Sequence, residues 1–199
     1  MNIKSLEENI KGIDIYILDQ ILKDRYQPGA KILDAGCGNG RNLKWFYQAG
    51  FKIHGIDPDM ERLKQCKELY KGQQENFIQA TVEEMPYESN SFDHMVCVAV
   101  LHFARDLSHF YKMFEELLRI LKPQGSLFIR IASNFGMEKQ VKLLGSGVYE
   151  LPDGTTRFLL TQKILVEIQS KYNISLLENV KTTIVHNMRC MTTLVIQKE

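Results

Sequence analysis

Short apolar runs alternate along the chain with longer stretches in which apolar residues recur every three or four positions. Lys31–Ala35, Lys52–Asp57, Asn76–Ala80, His94–Val100 and Ser126–Ile131 have the length and apolar density of buried strands. Between them the period changes to that of a helix. Arg41–Gln48 puts Leu43, Phe46 and Tyr47 on one side, and Met60–Tyr70 does the same with Leu63, Cys66 and Tyr70. Leu107–Leu121 carries Phe110, Met113, Phe114, Leu117, Leu118 and Leu121, before Lys122-Pro123-Gln124-Gly125 turns the chain. Strands separated by helices imply parallel pairing through right-handed crossovers. The expected fold is therefore α/β, a doubly wound sheet with helices on both faces, which binds ligands at the carboxyl ends of its strands.

The two ends depart from this alternation. Residues 1–25 read as helical, with Ile10, Ile13, Ile17 and Ile21 near one face, and Pro28-Gly29 closes them. Residues 133–160 form a long connection in which Val148–Leu151 and Thr155–Leu159 flank Pro152-Asp153-Gly154, a hairpin turn. Thr161 suits the N-cap of a helix running to about Lys171. Ile174–Val185 and Arg189–Gln197 read as two strands whose short joint, His186-Asn187, favours antiparallel pairing.

A length of 199 residues fits one domain. The balance of 25 Lys+Arg against 24 Asp+Glu leaves a net charge of +1, so no global field recruits polyanions. That weighs against a nucleic-acid partner. Cys37, Cys66, Cys97 and Cys190 are irregularly spaced with no C-x-x-C pair, so neither a metal site nor a disulfide framework is expected. Reduced thiols and a cytoplasmic location are the simpler expectation. The first ten residues lack an apolar leader core, and no stretch approaches the ~20 apolar residues of a membrane span.

The chemistry concentrates at the end of the first strand, in Asp34-Ala35-Gly36-Cys37-Gly38-Asn39-Gly40-Arg41-Asn42. Glycines there let the backbone turn tightly and approach a ligand closely. Their spacing is G-x-G-x-G, and Arg41 stands where a dinucleotide fingerprint needs a small residue. Asp34 would repel a pyrophosphate and attract an ammonium. Asp57, ending the second strand, is placed to accept ribose hydroxyls. The loop fits a ligand with a ribose and a cationic group and no pyrophosphate. Gly36, Gly38 and Gly40 could alternatively make only a tight turn, and Asp34 could cap the helix that follows.

These residues closely resemble motif I and the following acidic motif of class I S-adenosylmethionine-dependent methyltransferases. Ala80–Tyr87 followed by Asn90-Ser91-Phe92-Asp93 is similar to the family's third-strand loop and fourth-strand entry. Leu118–Ser126 is similar to its turn before strand five, with Gln124 where glycine is usual. The resemblance runs from about residue 28 to the end and implies a Rossmann-like, seven-stranded, mostly parallel sheet ending in an antiparallel hairpin. It implies S-adenosylmethionine as cofactor, no metal, and methyl transfer to an acceptor. Within it, Asp34, Gly36, Cys37, Gly38, Asn39 and Gly40 would hold the methionine portion. Asp57 would bind the ribose, with Pro58 and Met60 near the adenine and Val82 facing it through its N–H. Val98 and Val100–Phe103, His102 included, would line the site. Thr81 stands where the family often has Asp, which weakens the expected adenine contact.

Other side chains carry two readings each. His102 could serve as a general base or simply line the pocket. Arg130, inside a strand, and Arg157, after the hairpin turn, suit an anionic substrate or an internal ion pair. Asn134, Tyr149 and His186 are weaker candidates of the same kind. Tyr16 could close over the cofactor or pack, and Cys37 reads as a small filler. With no appended recognition domain, a small-molecule acceptor is expected, and residues 1–27 and 133–160 are left as cap and lid over a single domain spanning 1–199. The rival readings are a nicotinamide-dependent oxidoreductase and a cofactor-binding module without transfer.

Overall fold

The computed structural model describes residues 8–199, so the helical reading of residues 1–7 lies outside the described residues. The main sheet begins with β1 (Lys31–Ala35), β2 (Lys52–Asp57), β3 (Phe77–Gln79), β4 (Phe92–Val98) and β5 (Leu121–Ser133). These are parallel neighbours in the order β3-β2-β1-β4-β5. A separate antiparallel sheet, β6 (Lys142–Gly145), β7 (Val148–Glu150) and β8 (Thr156–Phe158), occupies the long connection. The chain returns through β9 (Ile174–Leu176), β10 (Lys181–Val185) and β11 (Arg189–Lys198), with β11 antiparallel to β5. β9 and β10 both pair with β11, at its two ends, so eight strands fill seven positions across the sheet.

The α-helices lying wholly within the described residues are α1 (Ile15–Leu22), α2 (Lys44–Gln48), α3 (Met60–Leu69), α4 (Leu107–Ile120) and α5 (Gln162–Lys171). Strand residues alternate between two buried clusters. Leu33, Met95, Cys97, Ile129 and Leu194 pack on the face that receives Phe110, Phe114 and Leu117 of α4 and Ile164, Leu165 and Ile168 of α5. Ile32, Val96, Phe128 and Val195 pack on the opposite face with Ile17 of α1, Phe46 of α2 and Leu63 of α3. Both faces are covered, which is why these strands read as continuous apolar runs. Asp106 caps α4, accepting from the His109 N–H at 2.8 Å. Such a cap is worth about 1 kcal/mol.

Four local differences from the sequence reading have physical causes. The N-terminal helical reading is interrupted: Gly12 has φ +84° and Asp14 caps a fresh helix, accepting from the Tyr16 N–H at 3.0 Å. The expected strand Ile174–Val185 is cut in two. After Leu177 N–H donates to Val195 O at 2.8 Å, Glu178 turns in the gap to pair with Lys23 at 2.6 Å and Lys181 at 2.8 Å. β5 starts directly after α4, and its pairing with β4 is offset between Phe92 and His94. The turn signal of Lys122–Gly125 is spent on that irregularity, with Gln124 at φ +63°. β6 escaped notice because all four of its residues are exposed, leaving no apolar alternation to read.

The long connection leaves and rejoins the sheet at one point. Ser133 and Leu160 form an isolated parallel bridge. Leu160 N–H donates to Ala132 O at 2.9 Å, and Asn134 N–H donates to Leu160 O at 3.2 Å. Thr161 then caps α5, accepting from the Ile164 N–H.

Candidate active site

β1 ends where its neighbours β2 and β4 lead in opposite directions, the crevice in which doubly wound sheets hold ligands. The glycine loop turns there. Gly36 and Gly38 have φ of +82° and +55°, a region glycine enters without penalty. A Cβ on Gly36 would sit 2.4 Å from a Val100 methyl, so Val100 packs directly on the loop backbone. A Cβ on Gly38 would meet nothing within 4 Å, because that residue faces an open cavity. The Gly36 and Cys37 N–H groups donate to Ile56 O at 2.9 and 2.8 Å, tying the loop to β2. The Gly38 N–H donates to Asp57 Oδ2 and the Asp59 N–H to Oδ1, each at 2.9 Å. Each Asp57 oxygen keeps a further lone pair for a ligand.

The cavity measures about 570 Å³. Gly36, Cys37, Gly38, Asn39, Asp57, Pro58 and Val98 line it together, as do Val100 and Phe103. Gly40 lies outside the lining, its α-carbon against the Tyr70 ring. Met60 is exposed at the start of α3, and Val82 is buried away from the cavity wall. Arg62 and Gln65, which the sequence reading passed over, line the cavity from α3. Their i, i+3 spacing beyond Asp57 puts both on one helix face, and that periodicity could have found them. Asn42 also lines it, and its Oδ1 accepts the Asp14 N–H at 3.1 Å.

Asp34 is 1% exposed, and neither carboxylate oxygen accepts a well-formed hydrogen bond. It therefore does not cap the following helix. Burial pushes it up to about 7, with the charge of Arg41 and the nearby Asn42 side chain opposing that rise and the charge of Asp57 adding to it. A buried acid so weakly partnered is costly and calls for a cation. Cys37 is buried, its thiol held protonated by the neighbouring Cys66 and by burial, as a filler should be. No helix among the described residues is long and apolar enough to cross a membrane.

A second cavity, about 430 Å³, shares Ala99 and Phe103 with the first. His102, Arg130 and Arg157 line it, with Arg189 and Asp153. His102 Nδ1 accepts the Ala132 N–H at 3.3 Å, which leaves its proton on Nε2. Burial, with the charges of Arg157 and Arg189, pushes His102 down to about 4, so it is neutral near pH 7. With its free lone pair already engaged, the imidazole is placed as a donor and not as a base. Arg130 pairs with Asp14 at 2.9 Å, and its guanidinium lies 5.2 Å from the centre of the Tyr16 ring. Tyr16 packs there and hydrogen-bonds Thr183. Asn134, Tyr149 and His186 line neither cavity.

The parallel sheet with its reversed last strand, and a glycine loop turned over an acid, define a class I S-adenosylmethionine-dependent methyltransferase domain. Residues 33–129 match the family described as "Methyltransferase domain". With that family comes its cofactor, S-adenosylmethionine. The groups present fit it: an orphan buried carboxylate suits an ammonium, and the open Gly38 face leaves room beside Asp57. Over 171 residues the chain is 29% identical to cycloartenol-C-24-methyltransferase of Arabidopsis thaliana, covering 81% of this chain and 49% of that protein. Over 103 residues it is 36% identical to a tRNA (carboxymethyluridine(34)-5-O)-methyltransferase of the same plant, covering 52% of this chain and 24% of that one. The chain thus spans less than half the length of either relative. Among solved structures it shares the fold of a methyltransferase from Methanosarcina mazei, with TM-score 0.73, 20% identity and coverage of 89% and 96%.

Proposed function

We propose that the chain transfers a methyl group from S-adenosylmethionine to a small-molecule acceptor. The observation that carries this reading is the pair of adjoining cavities, one under the glycine loop and one beyond Phe103. In it, Asp34 and the loop of Gly36, Cys37, Gly38, Asn39 and Gly40 take the methionine portion, Asp34 facing its ammonium. Asp57, already aimed by the Gly38 and Asp59 N–H groups, takes the ribose hydroxyls. Pro58 flanks the adenine, Met60 and Val82 stand outside the cavity lining, and Val98 and His102 border the reacting end. The cofactor supplies a methyl on a sulfonium: an acceptor lone pair bonds to that carbon while the electrons of the broken C–S bond stay on sulfur. The chain's own work is to align the acceptor and exclude water. Phe103 stands between the cavities for both purposes, and residues 133–160 form the lid. His102 is not the base, since its Nδ1 is engaged by the Ala132 N–H.

The relatives name different acceptors, a sterol and a tRNA, so they do not choose between classes. The near-neutral charge and the modest size of the second cavity, about 430 Å³, favour a small molecule. Calorimetry with S-adenosylhomocysteine tests the cofactor half: the wild type binds, and Asp57→Ala binds roughly 10- to 100-fold more weakly, the value of hydrogen bonds to a charged group. No binding by the wild type would overturn the reading, and an unchanged Asp57→Ala affinity would overturn the ribose role.

A further inference from the structure

The second cavity gathers three arginines from three strands, Arg130 of β5, Arg157 of β8 and Arg189 of β11, against a single acid, Asp153. The whole chain carries only +1, so this is a local concentration of charge and not part of a basic surface. The acid is already engaged: Asp153 Oδ1 accepts from the Thr155 N–H at 3.0 Å and its hydroxyl at 2.6 Å. Arg130 is paired with Asp14, yet its Nε is buried with no acceptor. A buried donor left unpaired costs about 1–3 kcal/mol, so such a group marks a place where an acceptor belongs.

Arg157 and Arg189 make no ion pair with a carboxylate among the described residues. Arg157 gives one N–H to the Thr156 carbonyl at 2.6 Å and stacks 5.1 Å from the centre of the Phe103 ring. That ring forms the wall shared with the cofactor cavity. Arg189 begins β11 directly opposite Val185. The tight turn between them, with His186 and Asn187 at φ +50° and +55°, fixes where the Arg189 backbone stands. Both charges act on His102 and on Asp153, so the two guanidiniums address the same space. His102 adds a neutral donor there and no charge.

We propose that this cavity binds the methyl acceptor by an oxyanionic group, a carboxylate or phosphate on a small molecule, with Arg130, Arg157 and Arg189 as its donors. The proposal rests on the methyltransferase reading and adds the acceptor's chemical class. Planar guanidiniums match such oxygens two at a time, and charge-assisted bonds are the stronger kind. With its anion held there, the acceptor's nucleophilic end is left to reach past Ala99 and Phe103.

The test forms the S-adenosylhomocysteine complex first and then titrates it with benzoate, phenyl phosphate or neutral benzyl alcohol. At least one anion should bind saturably while benzyl alcohol does not, and whichever anion binds separates the carboxylate source from the phosphate source. Arg157→Gln/Arg189→Gln should weaken that anion at least about tenfold, the value of a lost charge-assisted bond. Its affinity for S-adenosylhomocysteine should stay within about twofold, because neither arginine lines that cavity. Binding of neither anion, equal binding by the double variant, or equal binding of benzyl alcohol would overturn the proposal. So would an RNA anticodon stem that binds more tightly than either anion and depends on the same arginines. Failure in the first step, with no S-adenosylhomocysteine bound, would instead remove the methyltransferase reading on which the proposal stands.

Discussion

The two cavities share a wall and are built by opposite means. The first is built largely on the glycine loop, Gly36–Asn39 with Arg41 and Asn42, closed by Asp57 and Pro58 at the end of β2, by Arg62 and Gln65 of α3 and by Val98–Val100 at the end of β4, with Asp34 buried directly behind the loop. Backbone amides and one orphan carboxylate do most of its work. The second is assembled from strands of two different sheets, with side chains as its donors and an orphan arginine nitrogen among them. One buries an uncompensated acid and the other an uncompensated donor. A site made by a local turn holds its geometry wherever the turn folds. A site made by tertiary register can change its chemistry one side chain at a time, leaving the turn untouched.

The largest expected effect tests the acid. Asp34 is raised to about 7 from an ordinary 3.8, so the folded chain holds a proton that the unfolded chain has already lost. Stability should therefore fall as pH rises from about 4 to 7 and level off above, by on the order of 4 kcal/mol in all. Asp34→Asn should flatten that slope in denaturant titrations across pH 4–8; a slope as steep as the wild type's would mean the carboxylate is compensated after all. Next in size is Gly36→Ala, which forces a side chain into φ +82° and against Val100. It should cost about 1–3 kcal/mol of stability and weaken S-adenosylhomocysteine binding sharply. Full affinity in that variant would show that the loop tolerates a shift and would blur the contrast between the cavities. The smallest is Gln124→Gly, remote from both, which relieves a left-handed φ of +63°. It should stabilise by about 0.5–1 kcal/mol, read as a Tm rise of a few degrees, with no change in ligand binding.

The same contrast decides what could be read in advance. β1 and β2 were legible to the residue, because each is a short, largely apolar segment opened by a lysine and bounded by turn residues. The cofactor loop was legible because its residues are neighbours in sequence. Arg130 and Arg157 could be singled out, one by its cost inside a strand and one by its turn. Arg189 could not, since only the β10–β11 hairpin and the pairing of β11 with β5 bring it to the other two. The ion pair of Arg130 with Asp14 spans 116 positions and has no local signature. β6 and the break in the β9–β10 edge were hidden for a similar reason: exposure erased the first pattern, and the second coincides with a long-range pair of Glu178 with Lys23.

The bridge between Ser133 and Leu160 makes residues 134–159 an excursion whose feet are tied together. Closing a loop costs entropy that grows only slowly with its length, about 0.6 kcal/mol per doubling. Once its ends are pinned, the exposed parts of the segment, β6 and the turns, can lengthen, shorten or be exchanged at little cost, provided Phe158 keeps its buried place against Phe110. Arg157 and Asp153 ride on that excursion, whereas Asp34 and Asp57 do not. The chain is thus divided into a part that must stay as it is for folding, Phe158 included, and an exposed part of the excursion free to wander. In evolutionary terms, its choice of partner can drift faster than its architecture.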